Sequence, residues 1–402
     1  MYWKTINDLA ILGGEPLFSE KLHVGKPNVS NEEIFLKKVT DAFARKWLTN
    51  DGPLVKEFEQ RVGEITGAKY NYAICNATVG LEILYKALNL RGEVIVPSFT
   101  FIATAHALKW LGITPIFCDI SPHDHNIDPE EVERLITPKT TGIVGVHVWG
   151  KPCQTEKLEK IAKENNLKLV FDAAHAFGCS HNGTMIGNFG DAEVFSFHAT
   201  KFVNSLEGGV ISTNDEILGE KISKMRNFGF SGYDQVTSIG TNGKMTEIAA
   251  AMGIASLESL NKTISKNFEN YQLYRQFLSH LPGVKVVGYK PNEKNNYHYI
   301  VLEIDETETK ISRDLILSIF HHENILARRY FYPGCHCQEP YISDNRYQSV
   351  NLPRTEMAAS KLLQLPAGIE ISNQDIEKIS KLMEFLIVNN REINAKLETI
   401  PN

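Results

Sequence analysis

Two ionisable residues stand in apolar surroundings that offer them few ionic partners. Asp172 follows the run LKLVF, and Lys201 lies among aromatic and small residues in VFSFHATKFV. Burial lowers the pKa of an amine and makes it nucleophilic toward carbonyls, whereas a buried carboxylate requires a cationic group nearby. Alternatively, Lys201 extends to the solvent and Asp172 only caps a helix that begins in DAAHA. Because both follow strand-like segments, the pair favours a functional site.

The chemistry of this pair is that of a pyridine cofactor with an aldehyde group. A lysine can bond covalently to the aldehyde of pyridoxal 5′-phosphate, and an aspartate can keep its ring nitrogen protonated. The protonated ring then accepts the electron pair that is released at a substrate carbon. Lys201 and Asp172 therefore predict pyridoxal 5′-phosphate as the cofactor.

The phosphate of such a cofactor needs backbone N–H groups and hydroxyls, preferably at the start of a helix. In CNATVGLEILYKAL, Asn76, Ala77 and Thr78 precede an amphipathic helical pattern, although Thr78 could also be a simple helix cap. Ser196, five residues before Lys201, adds a second hydroxyl at the end of a strand-like run. We expect these residues to form a phosphate site.

The elements that would position these residues alternate between strand and helix from about residue 70 to 215. The strand-like runs are nearly continuous in apolar residues, as expected for strands buried on both faces. This alternation predicts an α/β fold with a mostly parallel central sheet and helices on both faces. Ligands of such sheets bind beyond the carboxyl ends of the strands, so residues 97–101, 147–150, 172–175 and 196–201 should converge.

The pattern of strand-like and helical runs changes after about residue 250. One long helical pattern, EIAAAMGIASLESLNKTISKNFENYQLYRQFLSHL, leads to strand-like runs VKVV and YHYIVLEI and to two further helical patterns. We interpret this part as a smaller C-terminal α/β domain. The predicted organisation is an N-terminal arm at 1–30, a large cofactor-binding domain at 31–255 and the small domain at 256–402.

The composition indicates an ordinary globular protein and excludes several classes of partner. The chain has 402 residues, 43% hydrophobic and 22% charged, and a net charge of −6 with both signs interspersed. No basic face for nucleic acid is evident, no apolar run reaches membrane-spanning length, and the N-terminus lacks a signal-peptide pattern, so we expect a cytoplasmic protein. Cys335-His336-Cys337 lacks a second ligand pair at zinc-site spacing, and no metal is predicted.

Six stretches follow the order found in one enzyme family: CNATVGLEIL, VPSFTFIATAHAL, VHVWGKPC, FDAAHAFG, FSFHATKFVNSLEGGVI and IGTNGKMTEIAAAMG. The chain resembles the DegT/DnrJ/EryC1/StrS family of pyridoxal-phosphate nucleotide-sugar aminotransferases over roughly residues 25 to 390. The resemblance implies the aspartate-aminotransferase fold (fold type I) and a homodimer whose active sites lie at the subunit interface. It also implies L-glutamate as the amino donor and a nucleotide-linked keto sugar as the acceptor.

Matched position by position, the resemblance assigns each candidate a role. Lys201 matches the lysine that bonds to the cofactor, and Asp172 matches the partner of the ring nitrogen. The remaining cofactor-binding positions are Phe101 for stacking on the ring, Ala77, Thr78 and Ser196 for the phosphate, and Asn242 for the phosphate of the neighbouring subunit. The chain departs from the family's usual glutamine at His175, glycine at Ala77 and arginine at Lys244. His175 can still hydrogen-bond the ring hydroxyl of the cofactor, with a tautomer that the sequence leaves open.

The stretch ENILARRYFYPGCHCQEPY is dense in Arg, Tyr and His. Arg328 and Arg329 could clamp a diphosphate, and Tyr330, Tyr332 or His336 could contact the sugar or base; equally, the stretch could be a solvated basic turn with aromatic residues packed beneath it. It resembles the branch of the family that makes dTDP-4-amino-4,6-dideoxyglucose, a deoxysugar of the kind used in O-antigen or lipopolysaccharide. The resemblance thus implies dTDP-4-keto-6-deoxyglucose as acceptor.

Other functions remain open from the residues alone. A 3-keto acceptor or a UDP- or GDP-linked sugar would suit the same residue types. A pyridoxal-phosphate lyase or desulfurase would use the same Lys201 and Asp172, and a regulator that binds the cofactor without catalysis would also keep them.

Overall fold

The computed structural model describes residues 3–398 and contains fourteen strands and fifteen α-helices within that range. The first two residues of the predicted arm and the last four of the predicted small domain lie outside the described residues. The strands are β1 Leu22–His23, β2 Tyr70–Ile74, β3 Glu93–Pro97, β4 Thr114–Cys118, β5 Thr140–Val146, β6 Lys168–Asp172, β7 Ser180–His181, β8 Thr184–Met185, β9 Ala192–Ser196, β10 Gly209–Thr213, β11 Val284–Val286, β12 Ile300–Ile304, β13 Ile325–Leu326 and β14 Leu362–Leu365.

The helices connect and cover these strands. They are α1 Glu32–Arg45, α2 Pro53–Thr66, α3 Ala77–Ala87, α4 Ala103–Trp110, α5 Pro129–Leu135, α6 Thr155–Glu164, α7 Glu216–Met225, α8 Glu247–Leu257, α9 Leu260–Leu278, α10 Glu306–Thr309, α11 Arg313–His322, α12 Glu339–Ile342, α13 Pro353–Lys361, α14 Asn373–Val388 and α15 Asn390–Glu398. Among residues 3–398, none of the helices combines the length and the apolarity needed to cross a bilayer.

A seven-stranded sheet in the order β2-β10-β9-β6-β5-β3-β4 organises the larger part of the chain. Strands β9, β6, β5, β3 and β4 are parallel, and β10 runs antiparallel to both β2 and β9. Adjacent residues of β9 face opposite layers: Val194 packs in the cluster with α3 and α7, and Phe195 packs in the cluster with α2 and α8. Burial on both faces explains the continuous apolar runs and confirms the predicted fold class.

The C-terminal part of the chain builds a second core on the antiparallel sheet β11-β12-β14. Ile300, Leu302 and Ile304 alternate into this core, which α9, α11 and α14 cover. The residues at the start of the chain join it as well, since Trp3 and Leu9 are buried in the same cluster. The segment predicted as an N-terminal arm therefore packs on the small domain, while the divisions at residues 30 and 255 stay predictions.

The long helical pattern after residue 246 forms two helices, where the sequence predicts one. Helix α8 ends at Leu257 and α9 begins at Leu260. Between them, Ser259 adopts φ −99° and ψ 5°, outside helical geometry, and breaks the run. The break separates a helix that is buried almost all round from a helix with one buried face, and thus separates the two cores.

A buried carboxylate joins the start of α2 to the start of α8. Glu247 is fully buried, and its carboxylate accepts hydrogen bonds from the backbone N–H groups of Leu54 (3.0 Å) and Val55 (2.8 Å). These N–H groups belong to the first turn of α2, which has no intrahelical acceptor for them. The guanidinium of Arg45 lies 3.8 Å from the same carboxylate.

Replacing Glu247 with Gln should destabilise the fold by about 1–3 kcal/mol, because a buried backbone donor then faces an amide N–H₂ group. Urea unfolding followed by circular dichroism measures the loss. Glu258→Gln is the matched control, since Glu258 forms a surface ion pair with Arg61 (2.8 Å) whose loss should cost less than about 1 kcal/mol. Equal losses in the two variants would contradict the capping role of Glu247.

Candidate active site

A cavity of about 600 Å³ opens at the carboxyl ends of the central strands. The segments that follow β2, β3, β6 and β9 supply most of its wall, as the parallel sheet requires. The predicted residues that line it are Ala77, Thr78, Phe101, Asp172, His175, Ser196, Lys201, Arg328 and Tyr330. The structure therefore brings together residues that lie more than 250 positions apart in the sequence.

Asp172 is the last residue of β6, and its side chain is buried against the cavity wall. The Thr104 hydroxyl donates a hydrogen bond to its Oδ2 (2.8 Å), and the Ala174 backbone N–H donates one to its Oδ1 (3.0 Å). Burial raises the pKa of Asp172, and the two hydrogen bonds and the charge of Lys201 act against that rise. Both hydrogen-bond donors are neutral, so the carboxylate keeps a strong preference for a cationic group in the cavity.

Lys201 lies in the loop between β9 and β10, with its side chain reaching the cavity. Its Nζ donates a hydrogen bond to the hydroxyl of Tyr299 at 2.9 Å. Burial lowers the pKa of Lys201 to about 8, and the negative charge of Asp172 limits that fall. A useful fraction of the amine is therefore unprotonated near neutral pH and can attack a carbonyl.

His175 is a neutral hydrogen-bond donor to the cavity. The backbone N–H of Trp149 points at its Nδ1 over 3.2 Å, and an N–H group can only donate, so Nδ1 accepts and the proton sits on Nε2. Burial holds the pKa of His175 well below its usual value, and the charge of Lys201 lowers it further. The structure thus assigns the tautomer that the sequence left open.

The N-terminus of α3 forms an anion site at one end of the cavity. The Asn76 side chain accepts from the Val79 N–H (2.9 Å) and fixes the helix start, so the N–H groups of Ala77 and Thr78 remain available. A Cβ at Gly209 would lie 2.9 Å from the Ala77 nitrogen, so this glycine lets β10 approach the anion site. The positive end of the helix dipole favours a phosphate there.

The donor set fits the cofactor predicted from the sequence. Lys201 matches its aldehyde, Asp172 its ring nitrogen, and the Nε2–H of His175 its ring hydroxyl. The phenyl ring of Phe101 is 55% exposed although it lies at the cavity, so it offers a face on which a planar ring can stack. The α3 start with Thr78 and Ser196 matches the phosphate.

A second cavity of about 210 Å³ adjoins the first and shares Phe101, Arg328 and Tyr330 with it. Arg329 and Tyr332 are also part of its wall. Each arginine lies over a tyrosine ring, with the Arg328 guanidinium 4.9 Å from the Tyr330 centroid and that of Arg329 4.2 Å from the Tyr332 centroid. Four of the five predicted substrate residues therefore line one or both of the two cavities.

His336 is the fifth predicted substrate residue, and its contacts differ from those of the other four. Its Nδ1 is 2.7 Å from the Ser98 hydroxyl, and its Nε2 is 3.3 Å from Glu356 Oε1 and 3.2 Å from Cys337 Sγ. Its side chain is buried, and within residues 3–398 it is not among those that line either cavity. The donor atoms of His336, Cys337 and Glu356 lie within 4.8 Å of one another, a grouping that the sequence spacing did not reveal.

The sequence interpretation missed Thr104 and Tyr299, both of which touch the central pair. Thr104 lies in the first turn of α4, where a hydroxyl among apolar helix residues was the available signal. Tyr299 directly precedes β12 of the second sheet and reaches Lys201 from there, and its stretch YHYIVLEI indicates only a strand.

Comparison with known proteins identifies relatives over nearly the whole chain. The model of the DegT/DnrJ/EryC1/StrS aminotransferase family matches residues 29–384. A Shigella dysenteriae protein named dTDP-4-amino-4,6-dideoxy-D-glucose transaminase is 36% identical over 372 residues, which cover 92% of this chain and 99% of the relative. GDP-perosamine synthase of Escherichia coli O157:H7 is 30% identical over 357 residues, 88% of this chain and 95% of the relative.

Among solved structures, the crystal structure of DesI in the presence of its TDP-sugar product is similar to this chain with a TM-score of 0.94 and 44% sequence identity. The match covers 98% of this chain and all of DesI. The Helicobacter pylori aminotransferase PseC follows with a TM-score of 0.85 and 28% identity, over 92% of this chain and 100% of PseC.

The burial of His298 beside Lys201 predicts a pH dependence of stability. Burial lowers the pKa of His298 to about 3, while an unfolded histidine titrates near 6.5. Below about pH 6.5 the unfolded chain binds a proton that the native chain does not, so this residue should reduce the free energy of unfolding by about 1.4 kcal/mol per pH unit as the pH falls. His298→Gln should flatten the slope between pH 6.5 and 5 by about that amount.

Urea unfolding at a series of pH values measures this slope. Glutamine can still donate to the Thr200 carbonyl, which His298 Nε2 contacts at 3.0 Å. His280→Gln is the control, because the His280 side chain is 60% exposed. A slope that stays the same in His298→Gln would mean that His298 is protonated in the native state.

Proposed function

This chain belongs to the DegT/DnrJ/EryC1/StrS aminotransferase family, and on that premise we propose that it transfers the amino group of L-glutamate to dTDP-4-keto-6-deoxy-D-glucose in the cytoplasm. The product would be dTDP-4-amino-4,6-dideoxy-D-glucose. The enzyme is an aminotransferase, and its cofactor is pyridoxal 5′-phosphate. The observation that carries the proposal is the presence of a buried amine and a buried carboxylate, Lys201 and Asp172, in one cavity.

Different residues of the cavity would bind different parts of the cofactor. When bound, pyridoxal 5′-phosphate supplies an electron-accepting ring that stabilises the negative charge left on a substrate carbon after proton removal. Asp172 would keep a proton on the ring nitrogen, and His175 would donate from Nε2 to the ring hydroxyl. Thr78 and Ser196 would hold the phosphate together with the N–H groups at the start of α3, and the phenyl ring of Phe101 would stack on the ring.

Lys201 carries the proton in both half-reactions. Its amine, with a pKa of about 8, is basic enough to take a proton from the α-carbon of glutamate and acidic enough in its charged form to release one. In the second half-reaction the same group returns a proton to the sugar carbon that receives nitrogen. Burial of the amine limits competing proton exchange with water.

The choice of substrate rests on the relatives and on the loop beside the cavity. The relatives from Shigella dysenteriae and Escherichia coli that carry the name dTDP-4-amino-4,6-dideoxy-D-glucose transaminase are 36% and 35% identical to this chain. Arg328 and Arg329 would bind the diphosphate, with Tyr330 and Tyr332 against the sugar or base. Similarity to GDP-perosamine synthase makes a GDP-linked 4-keto sugar the second candidate.

A homodimer would complete the site. The second subunit is expected to bring Asn242 to the phosphate, and within residues 3–398 of one chain Asn242 is not among the residues that line the two cavities. Large apolar side chains are exposed on α1, just after its end, and on the loop before α8, as a subunit interface would require; they are Leu36, Phe43, Trp47, Phe228, Phe230, Tyr233, Val236 and Ile239.

Incubation of the purified protein with L-glutamate and dTDP-4-keto-6-deoxy-D-glucose should produce dTDP-4-amino-4,6-dideoxy-D-glucose and 2-oxoglutarate. NMR of the product identifies the aminated carbon, and a coupled assay measures the 2-oxoglutarate. Lys201→Ala should reduce turnover by at least about 10³-fold, because it removes both the covalent attachment and the proton carrier. Amination of only a GDP-linked, UDP-linked or 3-keto sugar would overturn the substrate assignment, and near-normal turnover by Lys201→Ala would overturn the role of the lysine.

A mixing experiment tests whether the active sites are shared. Lys201→Ala and Asn242→Asp should each be nearly inactive alone, since the second adds a negative charge beside a phosphate. After unfolding and refolding an equal mixture, about a quarter of the sites should combine an intact lysine from one subunit with an intact Asn242 from the other. Activity near that fraction is expected, whereas no recovered activity would place Asn242 in the site of its own subunit.

A further inference from the structure

The side-chain amine of Lys201 has a neutral hydroxyl as its hydrogen-bond partner. Tyr299 Oη lies 2.9 Å from Nζ, and the tyrosine ring is buried, with 6% of its surface exposed. Burial raises the pKa of Tyr299 well above its usual value, so the hydroxyl keeps its proton throughout the range in which Lys201 titrates. A protonated hydroxyl can accept a bond from an ammonium group and can donate one to a free amine.

The position of Tyr299 is fixed on several sides. The Tyr289 hydroxyl donates to the Tyr299 carbonyl at 2.7 Å, and the Tyr299 ring centroid lies 4.3 Å from that of His175. The preceding residue, His298, places Nε2 3.0 Å from the Thr200 carbonyl, one residue before Lys201. The Tyr299 ring is therefore held against His175, its carbonyl is bonded by Tyr289, and His298 attaches the same segment to the lysine loop.

The segment that carries Tyr299 is also bound to the loop of His175. Asn296 is fully buried, and its side-chain amide donates to the carbonyls of His175 (2.8 Å) and Phe177 (3.1 Å). The Asn267 amide on α9 donates in turn to the Asn296 carbonyl at 3.0 Å. Because these bonds are buried and join the small-domain segment to the strand-end loops, they set the distance between Tyr299 and Lys201.

We propose that Tyr299 is a positioning residue for the transamination, which holds the free side chain of Lys201 in one orientation between its two proton transfers. When the lysine carries the proton, the Tyr299 oxygen accepts a hydrogen bond from it; when the lysine is neutral, the Tyr299 hydroxyl turns to donate to the amine lone pair. No bond is broken in Tyr299 itself. This assignment rests on the proposed function in one respect, because it requires that Lys201 transfers a proton during the reaction.

The groups around Lys201 decide how strongly the loss of the Tyr299 hydroxyl would affect its amine. Asp172 is the anion that favours the ammonium form, and the buried imidazoles of His175 and His298 are neutral. The other titratable groups along the cavity wall are His198, Glu207, Arg328 and Tyr330. In a site this buried, loss of the Tyr299 oxygen removes a hydrogen bond to a charged group that water does not fully replace.

Tyr299→Phe removes one oxygen and keeps the ring, so it is the variant of choice. Tyr297→Phe is the matched control, because Tyr297 lies on the same segment but packs against Phe268 and Tyr271. Thermal unfolding should show that both variants fold. The first readout is the pH dependence of labelling of Lys201 by acetic anhydride in the full-length, cofactor-free protein, followed by peptide mass spectrometry.

The midpoint of labelling should lie near pH 8 in the parent protein and fall by about one pH unit in Tyr299→Phe, because the charge-assisted hydrogen bond that the ammonium form loses is stronger than the bond that the free amine loses. The Tyr297→Phe midpoint should not move. An unchanged midpoint in Tyr299→Phe would overturn the proposal even if the aminotransferase activity is confirmed. This readout needs no sugar, so it remains decisive if the proposed substrate proves wrong.

The second readout is the steady-state rate of the holoenzyme with L-glutamate and the keto sugar across pH. Tyr299→Phe should lower kcat about 10-fold while KM for both substrates changes less than about twofold, since a misoriented amine slows proton transfer without removing substrate contacts. The acid limb of the kcat profile should shift in the same direction as the labelling midpoint. A shifted midpoint with an unchanged kcat would also overturn the positioning role.

Discussion

The burial of one amine and one carboxylate at neighbouring strand ends is the constraint that the rest of the structure satisfies. Removing two opposite charges from water costs several kcal/mol for each ion, and attraction between them compensates only in part. Because of that cost, Asp172 is stabilised by neutral hydrogen bonds from Thr104 and Ala174. For the same reason, the pKa of Lys201 is lowered to about 8. A cofactor with an aldehyde and a basic ring nitrogen would bond to the amine and offer a cationic N–H group to the carboxylate. The same burial that is costly without the cofactor therefore prepares both groups for its chemistry.

The hydrogen-bond donors around Lys201 and Asp172 are neutral, so they add no further charge to the site. The backbone N–H of Trp149, whose residue adopts φ 57°, fixes His175 as a donor at Nε2, and buried His298 donates to the Thr200 carbonyl. Neither imidazole adds a positive charge beside Lys201 at neutral pH, because burial lowers the pKa of each. Burial and Asp172 therefore set the pKa of the amine, which also donates a hydrogen bond to the Tyr299 hydroxyl. Several of these contacts reach Lys201 and His175 from the C-terminal part of the chain: Tyr299 and His298 contact the lysine loop, and the Asn296 amide donates to the carbonyls of His175 and Phe177.

The sequence predicts the sheet and the convergence of the residues at its strand ends on one cavity, and there is a physical reason for this. Parallel strands end at the same edge, so the polar residue after each apolar run is placed by the strand itself, as for Asp172 and Ser196. Tyr299 could not be placed in this way, because it depends on how the second core docks. The break at Ser259 is of the same kind, since the helical pattern continues through it and tertiary packing decides where α8 ends.

Substrate identity is harder to predict because the second cavity is built differently. The residues predicted to hold the cofactor lie at strand ends and at a helix terminus, whereas Arg328, Arg329, Tyr330 and Tyr332 lie on one connecting loop. There each arginine stacks on a tyrosine ring, and Arg329 also forms an ion pair with Asp314 (3.2 Å). Under the proposed function, arginine and tyrosine side chains of this kind would contact a diphosphate and an aromatic base without distinguishing one pyrimidine or purine carrier sharply from another. Arg328 and Tyr330 line both cavities, so in the proposed function they would contact the substrate between its carrier end and its reacting end. Discrimination among sugars would then depend on how far the carrier places its keto carbon from the amine of Lys201, a distance that this loop would set rather than the sheet.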